Sequence, residues 1–181
     1  MKKLETKIKD CFIIETEVFG DSRGWFVETY SQEKFKSLGL TAQFVQDNHS
    51  YSSKAGIIRG IHLQSEPYSQ SKLVRCIRGD IMDYIVDLRA DSPSFGEYVS
   101  VKLTERNHSM VLIPKGCGHA FETLTSDVEV EYKVDSHYNP SSEITIDYAD
   151  PELKIKWQTN TPILSDKDKL GISFKMFRGD N

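Results

Sequence analysis

Three side chains suited to proton transfer lie in segments of apolar or alternating pattern. His62 falls in GIIRGIHLQ, Tyr132 shares a strand face with valines in VEVEYKV, and Lys72 begins KLVRCI. A histidine titrates near neutral pH, a tyrosine hydroxyl can give a proton, and a lysine cation can stabilise an enolate. Each residue alone also fits a structural role: a hydrogen-bonded core histidine, a core tyrosine, or a lysine that snorkels to solvent. Together they favour proton-transfer chemistry through an enolate.

Metal binding is the competing interpretation, because two histidines and a carboxylate can together hold a metal ion. His62 and His119 are available, but the metal-binding pattern places two histidines one residue apart, and RGIHLQ supplies only one. Cys11, Cys76 and Cys117 are widely spaced, which fits neither a disulfide framework nor a CxxC metal site. We therefore predict reduced cysteines, with Cys76 as a small buried hydrophobe, and no metal or other cofactor.

Length and charge limit the classes of function. The 181 residues fit one domain, residues 1–181, given a prior of roughly 150 residues per domain. With 23 Lys+Arg against 27 Asp+Glu, the net charge of -4 provides no basic field for nucleic acid or an anionic membrane. No apolar run of about 18 residues appears, and MKKLETKIKD lacks the apolar core of a secretory signal. These features predict a cytoplasmic enzyme or binding protein.

Short strands with alternating faces dominate the chain. In VEVEYKV the residues Val128, Val130, Tyr132 and Val134 share one face, while the intervening charged residues share the other. IMDYIVDL and EYVSVKL alternate in the same way, and turn signals such as RGD, DSP and PKG separate the runs. Further strand candidates are FIIETEVF, GWFVETY, AQFVQDN, GIIRGIHLQ, KLVRCIRG, SMVLIP and HAFETL.

Helical signals are few. SQEKFKSLG predicts one helix, with Ser31 as its N-cap and Gly39 as its stop, and a second short helix is expected near Ser165–Leu170. Many short strands with little helix are typical of a sandwich or barrel. We predict a mainly β fold, an antiparallel cupin-like jelly roll with a few short helices, whose mouth is open to a ligand.

Several blocks of the sequence carry a family resemblance. They are VFGDSRGWFVETY, FVQDNHSYSS, IRGIHLQ, SKLVRCIRGDIMDYIVDLRADSPSFG, IPKGCGHAF, EYKVDSHYNPSSE and LSDKD. In this order and at this spacing the chain resembles the dTDP-4-dehydrorhamnose 3,5-epimerase family from about Lys3 to Lys169. The resemblance implies a cupin-like jelly roll that forms a homodimer. Where the family usually reads GFAHGF, this chain reads GCGHAF, a change that we expect to alter packing around His119.

The resemblance also assigns roles to residues. It implies that His62 is the general base and Tyr132 the general acid on the opposite face of the sugar, with Lys72 near the C4 oxygen. Asp168 is similar to the carboxylate that orients the histidine, and Asp83 is the alternative for that role. The implied binding residues are His119 in the sugar pocket, Arg59, Gln46 and Asn48 on the diphosphate and nucleotide side, Tyr138 stacked on thymine, Glu143 and Lys167 at further positions, and Arg23 and Glu28 contributed by the partner subunit.

The implied reaction fits these residue types. A C4 ketone acidifies the hydrogens on C3 and C5, so one base can remove either proton if positive charge meets the enolate oxygen. The substrate would be a dTDP-linked 4-keto-6-deoxyhexose, inverted at C3 and C5. Two alternatives stay open at this point: a C3-only epimerase acting on a related nucleotide 4-keto sugar, and a non-catalytic cupin that binds a sugar nucleotide.

Overall fold

The computed structural model describes residues 1–180, in which strands strongly outnumber helices. The strands are β1 Lys2–Glu5, β2 Phe12–Glu15, β3 Val18–Asp21, β4 Gly24–Val27, β5 Gln46–Ser52, β6 Ile58–Gln64, β7 Lys72–Arg78, β8 Asp80–Asp87, β9 Tyr98–Thr104, β10 Met110–Ile113, β11 Cys117–Thr123, β12 Val128–Val134 and β13 Glu143–Thr145. The helices are α1 Gln32–Ser37 and α2 Phe174–Phe177, with 3-10 turns at Pro140–Ser142 and Asp168–Leu170.

Two antiparallel sheets enclose the main core. The six-stranded sheet has the order β1-β2-β10-β7-β12-β5, and the five-stranded sheet has the order β13-β6-β11-β8-β9. Apolar side chains from both sheets, including Val74 and Val130 from one and Ile81 and Leu103 from the other, form a single buried cluster between them. This arrangement confirms the predicted jelly roll.

Strand β12 shows how the alternating pattern produces the core. Val128, Val130 and Val134 are fully buried, and Tyr132 packs against the same cluster. On the opposite face Glu131 accepts a hydrogen bond from the Arg75 guanidinium at 2.9 Å. The period of two thus separates an apolar inner face from a charged outer face, as predicted.

The segment after β13 covers the outer face of the five-stranded sheet. Tyr84 on β8 packs against Trp157 there, with ring centroids 4.4 Å apart. The buried Glu122 carboxylate accepts the main-chain N–H groups of Gln158 at 2.8 Å and Thr159 at 2.6 Å. A second apolar cluster that includes Phe174 forms under this segment. Strand β8 is therefore buried on both faces.

Several predicted elements differ in extent from those observed. The first helix is confirmed, since the Ser31 hydroxyl accepts from the Lys34 N–H and Phe35 is buried. The expected helix at Ser165–Leu170 is only the 3-10 turn at Asp168–Leu170, because a few residues cannot form a stable α-helix there. FIIETEVF divides into β2 and β3, β5 begins later than AQFVQDN suggests, and β1, β13 and α2 were not predicted.

The hairpin of β3 and β4 stands apart from both main sheets. Phe19, Trp25 and Phe26 on it are each more than half exposed. Arg23 lies at its tip and pairs with Asp21 at 2.5 Å. The hairpin therefore presents apolar surface and a cation away from the core of its own chain. In residues 1–180, no helix has the length and apolarity required to cross a membrane.

Candidate active site

A cavity of about 320 Å³ opens between the two sheets and is continuous in its lining with a neighbouring recess of about 240 Å³. A larger depression of about 530 Å³ lies elsewhere, near Gly39 and Lys115, and contains neither a histidine nor a tyrosine. The proton-transfer residues therefore point to the smaller cavity. Its lining is Ser50, Arg59, His62, Lys72, His119, Phe121, Tyr132, Tyr138, Glu143, Ser165, Lys167 and Asp168, and the recess adds Gln46, Asn48, Leu63, Gln64 and Gln70.

His62 is oriented by a carboxylate that is distant in sequence. Its Nε2 lies 2.5 Å from Oδ1 of Asp168, and the other carboxylate oxygen accepts a hydrogen bond from the Ser165 hydroxyl at 2.7 Å. Burial alone would raise the pKa of Asp168, but the hydrogen bonds from His62 and Ser165 outweigh it and lower that pKa. The ionised carboxylate accepts the Nε2–H of His62, and the ring's Nδ1 is left to accept a proton.

His119 forms a second histidine–carboxylate pair, directly across the sheet. Strands β6 and β11 are paired so that His119 lies opposite His62. The Nε2 of His119 is 2.7 Å from Oδ1 of Asp83, and both side chains are buried. Asp83 is thus the partner of His119, and Asp168 is the partner of His62. Burial raises the pKa of Asp83 and lowers the pKa of His119, so the buried pair favours its neutral form.

Close contact between these two strands requires glycine at position 60. A Cβ atom on Gly60 would lie 2.5 Å from the Cβ of Ala120 and from the carbonyl oxygen of His119. Its φ of +125° is also one that L side chains rarely adopt. Gly60 in RGIHLQ thereby allows β6 to approach β11 two residues before His62.

Lys72 supplies a cation at the cavity wall. Its side chain is almost fully buried at the first residue of β7. Burial lowers its pKa to about 8, against the opposing effect of the Asp83 and Glu143 carboxylates. The ammonium group is therefore charged at neutral pH but poorly solvated. Such a group interacts strongly with any negative charge that develops in the cavity.

Tyr132 faces the same cavity from the six-stranded sheet, which also carries Lys72, whereas His62 lies on the five-stranded sheet. Burial raises its pKa, so its hydroxyl keeps its proton at neutral pH. Among residues 1–180, its hydroxyl oxygen forms no hydrogen bond, and the hydroxyl is available to a bound molecule. A protonated donor on one wall and an oriented histidine on the other are the two groups that inversion at a carbon atom requires.

The rim of the cavity carries a charged network. Glu143 accepts a hydrogen bond from the Tyr138 hydroxyl at 2.9 Å and pairs with the Lys167 ammonium. Burial would raise the pKa of Glu143, but these two contacts outweigh it and lower that pKa. Arg59 donates to the Ser52 hydroxyl at 3.1 Å and to the Tyr51 carbonyl at 2.9 Å, which fixes its guanidinium at the cavity.

Most of the predicted site residues converge, with two exceptions. Gln46 and Asn48 line the recess and are linked by a hydrogen bond of 2.9 Å. Arg23 lies on the exposed hairpin, and Glu28 pairs with Lys34 at 2.9 Å near its base. Neither lines the cavity or the recess of its own chain.

Some residues of the site were not anticipated from the sequence. Ser165, which supports Asp168, stands in the quoted block LSDKD, but its type alone carries no chemical signal. Asp83 was expected only as an alternative partner of His62, and its pairing with His119 was not predicted. It shares a strand face with Ile81 and Ile85, and an acid among buried isoleucines is a detectable signal. Gln64 and Gln70 in the recess were not assigned any role. Within residues 1–180, no three His, Cys, Asp or Glu side chains are grouped so as to hold a metal ion.

Comparison with known proteins identifies the family. The sequence model of dTDP-4-dehydrorhamnose 3,5-epimerase matches residues 5–176. The chain belongs to the dTDP-4-dehydrorhamnose 3,5-epimerase family. An enzyme of that name from Shigella flexneri is 43% identical over 175 residues, covering 96% of both chains. Another, from Bacillus anthracis with TDP and PPi bound, is 44% identical with a TM-score of 0.93, covering 95% of this chain and 98% of that one.

A third relative in the epimerase family was solved with a sugar nucleotide. The dTDP-6-deoxy-D-glucose-3,5-epimerase from Legionella pneumophila, in complex with dTDP-4-keto-L-rhamnose, is 37% identical with a TM-score of 0.92. It covers 99% of this chain, and this chain covers 94% of it. The similarity thus extends over the whole jelly roll and the segment that brings Asp168 to His62.

The departure from the family's GFAHGF pattern is accommodated in the core. Cys117 is buried in the cluster between the sheets, with burial raising the pKa of its thiol to about 12. A Cβ at Gly118 would lie 2.6 Å from Ile61 and 2.8 Å from Leu88, so the missing side chain leaves room for both. His119 still lines the cavity, held by Asp83.

Proposed function

We propose that this chain converts dTDP-4-dehydro-6-deoxy-D-glucose to dTDP-4-dehydro-L-rhamnose by inverting C3 and C5 of the sugar. The observation that carries the proposal is the placement of His62, oriented by Asp168, and the protonated Tyr132 hydroxyl on the walls of one cavity that Lys72 also lines. Membership of the epimerase family and the sugar nucleotide bound to the Legionella pneumophila relative support the same substrate class.

The reaction proceeds by two similar proton transfers. His62 removes the proton from the carbon beside the C4 ketone, and the electron pair of that C–H bond moves onto the C4 oxygen as an enolate. Lys72 stabilises the oxygen's charge, and Asp168 stabilises the imidazolium. The enolate then collapses to the ketone as the carbon takes a proton from Tyr132 on the opposite face. Solvent restores the proton to the tyrosine and removes the one on the histidine before the second carbon reacts.

The remaining polar residues fit the nucleotide diphosphate. Arg59 and Lys167 provide cations for the phosphates, since a guanidinium grips a phosphate through paired N–H groups. Tyr138 offers an exposed aromatic ring for the thymine, with Gln46 and Asn48 in the adjoining recess. His119 with Asp83 faces the sugar.

The protein is proposed to act as a homodimer. The exposed Phe19, Trp25 and Phe26 of the hairpin suit burial against a second copy, which would place Arg23 and Glu28 in the partner's site. Mixing Arg23→Ala with His62→Ala under proven subunit exchange should restore some activity, because a hybrid can contain one site with neither lesion. No recovery would contradict shared sites.

The central test is incubation with dTDP-4-keto-6-deoxyglucose in deuterated water, with deuterium located by NMR. Deuterium at both C3 and C5 is the expected result. Label at C3 alone would identify a C3-only epimerase instead. Tight binding of the sugar nucleotide without any exchange at carbon would identify a non-catalytic cupin.

Tyr132→Phe tests the assignment of the acid. The variant keeps the packing of the ring but lacks the hydroxyl, so the enolate should form and take the proton back from the face it left. The expected result is deuterium incorporated with retained configuration and little inverted product. Yields of inverted sugar equal to wild type would show that another group is the acid.

A further inference from the structure

Three glutamine side chains from separate parts of the chain bind the main chain of one loop, residues 136–139. Gln46 begins β5, Gln64 ends β6, and Gln70 precedes β7. Each of the four consecutive loop residues is held through a main-chain group. The contacts are Gln70 Nε2 to the Ser136 carbonyl at 2.8 Å, Gln64 Nε2 to the His137 carbonyl at 3.3 Å, the Tyr138 N–H to Gln46 Oε1 at 3.3 Å, and the Asn139 N–H to Gln64 Oε1 at 2.7 Å.

Gln64 makes the largest contribution to this arrangement. It is only 6% exposed, lies on the same strand face as His62, and also donates to the Tyr68 carbonyl at 2.7 Å. A carboxamide has both an acceptor oxygen and two N–H donors, and Gln64 uses both kinds of group. Neither a glutamate nor an apolar side chain of the same length can reproduce these bonds.

The loop carries Tyr138, whose side chain is only partly buried. The residue is 52% exposed and lines both the cavity and the recess. The Tyr138 hydroxyl bonds to Glu143, which in turn pairs with Lys167. Because the ring has few packing contacts to fix it, its position depends on the main chain beneath it. Movement of that main chain would displace the ring and, with it, the hydrogen bond from the Tyr138 hydroxyl to Glu143.

We propose that Gln64 and Gln70, with the side-chain amide oxygen Oε1 of Gln46, form a clamp that positions Tyr138 for the nucleotide. Gln64 is then a positioning residue that acts through Tyr138 and touches no reacting atom. The inference rests on the proposed function for its effect on substrate affinity. The clamp itself is a property of the loop and can be measured without turnover.

The first experiment separates binding from chemistry. Gln64→Met should raise the KM for dTDP-4-keto-6-deoxyglucose about tenfold and leave kcat within about twofold, because a misplaced ring loses binding while His62 and Tyr132 are unchanged. Gln70→Met, which removes one bond, should raise KM about threefold. The matched control is Gln43→Met, since Gln43 is exposed and lies outside the cavity and the recess. That control should behave as wild type.

A double variant tests whether Gln64 acts through Tyr138. If it does, adding Gln64→Met to Tyr138→Ala should change KM less than about twofold, because the ring to be positioned is already absent. A tenfold rise in both backgrounds would overturn the proposal and indicate a general structural role.

Amide hydrogen exchange provides a readout that needs no activity. The N–H groups of Tyr138 and Asn139 should exchange at least about tenfold faster in Gln64→Met than in wild type or Gln43→Met. Unchanged exchange would overturn the clamp. If wild type does not turn over the substrate, the proposed function fails, and exchange with calorimetric dTDP binding still decides the clamp. If Gln64→Met does not fold, the smaller changes expected of Gln70→Met decide it in the same assays.

Discussion

Strand β8 carries two fully buried aspartates, Asp83 and Asp87, whose surroundings differ sharply. Asp87 accepts hydrogen bonds from the Arg89 guanidinium at 2.8 and 2.7 Å, from the Ser92 hydroxyl at 2.5 Å and from the Ser94 hydroxyl at 2.6 Å. Burial opposes its charge, but these bonds outweigh it and hold the pKa of Asp87 well below its ordinary value. Within residues 1–180, Asp83 bonds only to His119 and its Oδ2 has no hydrogen-bond partner, and burial raises the pKa of Asp83.

The difference separates a group that stabilises the fold from one that is available for chemistry. Arg89 links Asp87 to the Lys9 carbonyl at 3.0 Å, so this end of β8 joins the amino-terminal segment to the β8–β9 connection. The middle of β8 places an incompletely bonded carboxyl group beside His119 and close to Lys72, both at the cavity. A buried polar network in which an atom lacks a hydrogen-bond partner costs stability, but that atom can respond to a ligand.

The largest expected effect at the cavity follows Lys72→Met. Loss of the cation should lower kcat about 10²- to 10³-fold, in the range for removing one group that stabilises an oxyanion. The free energy of unfolding should be unchanged or higher, because a buried charge is replaced by an apolar chain of similar length. Turnover and urea unfolding measure the two effects. A loss of kcat below about fivefold would remove Lys72 from its proposed role.

Asp87→Asn should have the opposite profile. We expect a loss of about 3 kcal/mol in the free energy of unfolding, because the fully buried site loses the charge that accepts the hydrogen bonds of Arg89, Ser92 and Ser94. The kcat of the folded protein should stay within about twofold of wild type.

The pH dependence of unfolding tests whether the ionised Asp87 carboxylate stabilises the fold. The lowered pKa of folded Asp87 means that its stabilisation is present above the ordinary aspartate value of about 4 and is lost as pH falls below it. The stability of wild type should therefore fall more steeply in acid than that of the variant. Equal slopes would contradict the assignment.

Asp83→Asn should change activity more than stability. The amide has the shape of the protonated acid but has no acidic proton to exchange with His119, so we expect kcat to fall about tenfold. Stability should be equal or higher, because the raised pKa shows that the folded state disfavours the charge. Destabilisation comparable with that of Asp87→Asn would erase the distinction between the two aspartates.

The smallest effect concerns pH and activity. Burial lowers the pKa of Lys72 to about 8, so its charged form predominates below that pH and is lost above it. The kcat/KM should reach half its plateau near pH 8 and continue to fall. Lys72→Arg, which stays charged, should move this decline to higher pH even if its plateau is lower. Tyr132 cannot produce the decline, since its pKa is raised above its ordinary value of 10.0.

The sequence predicted those features that depend on local pattern. Alternation placed Tyr132 inward with its valines, and the apolar segments around His62 and Lys72 became buried strands, as expected. The edge strand β1 was missed because KKLE is largely exposed and has no apolar face. Which histidine meets which aspartate also had no local signal, because the Asp168 bond to His62 spans 106 residues and depends on how a distant segment packs.

Asp168 lies 106 residues after His62 and is therefore synthesised later. During translation β6 to β12 leave the ribosome before the segment that Glu122 binds. Asp168 follows that segment in the chain and emerges later still. A nascent chain can therefore form most of both sheets, with Lys72 and Tyr132 in place, while His62 still lacks the carboxylate that orients it. Docking of the last segment therefore completes the second apolar cluster and the orientation of His62 together.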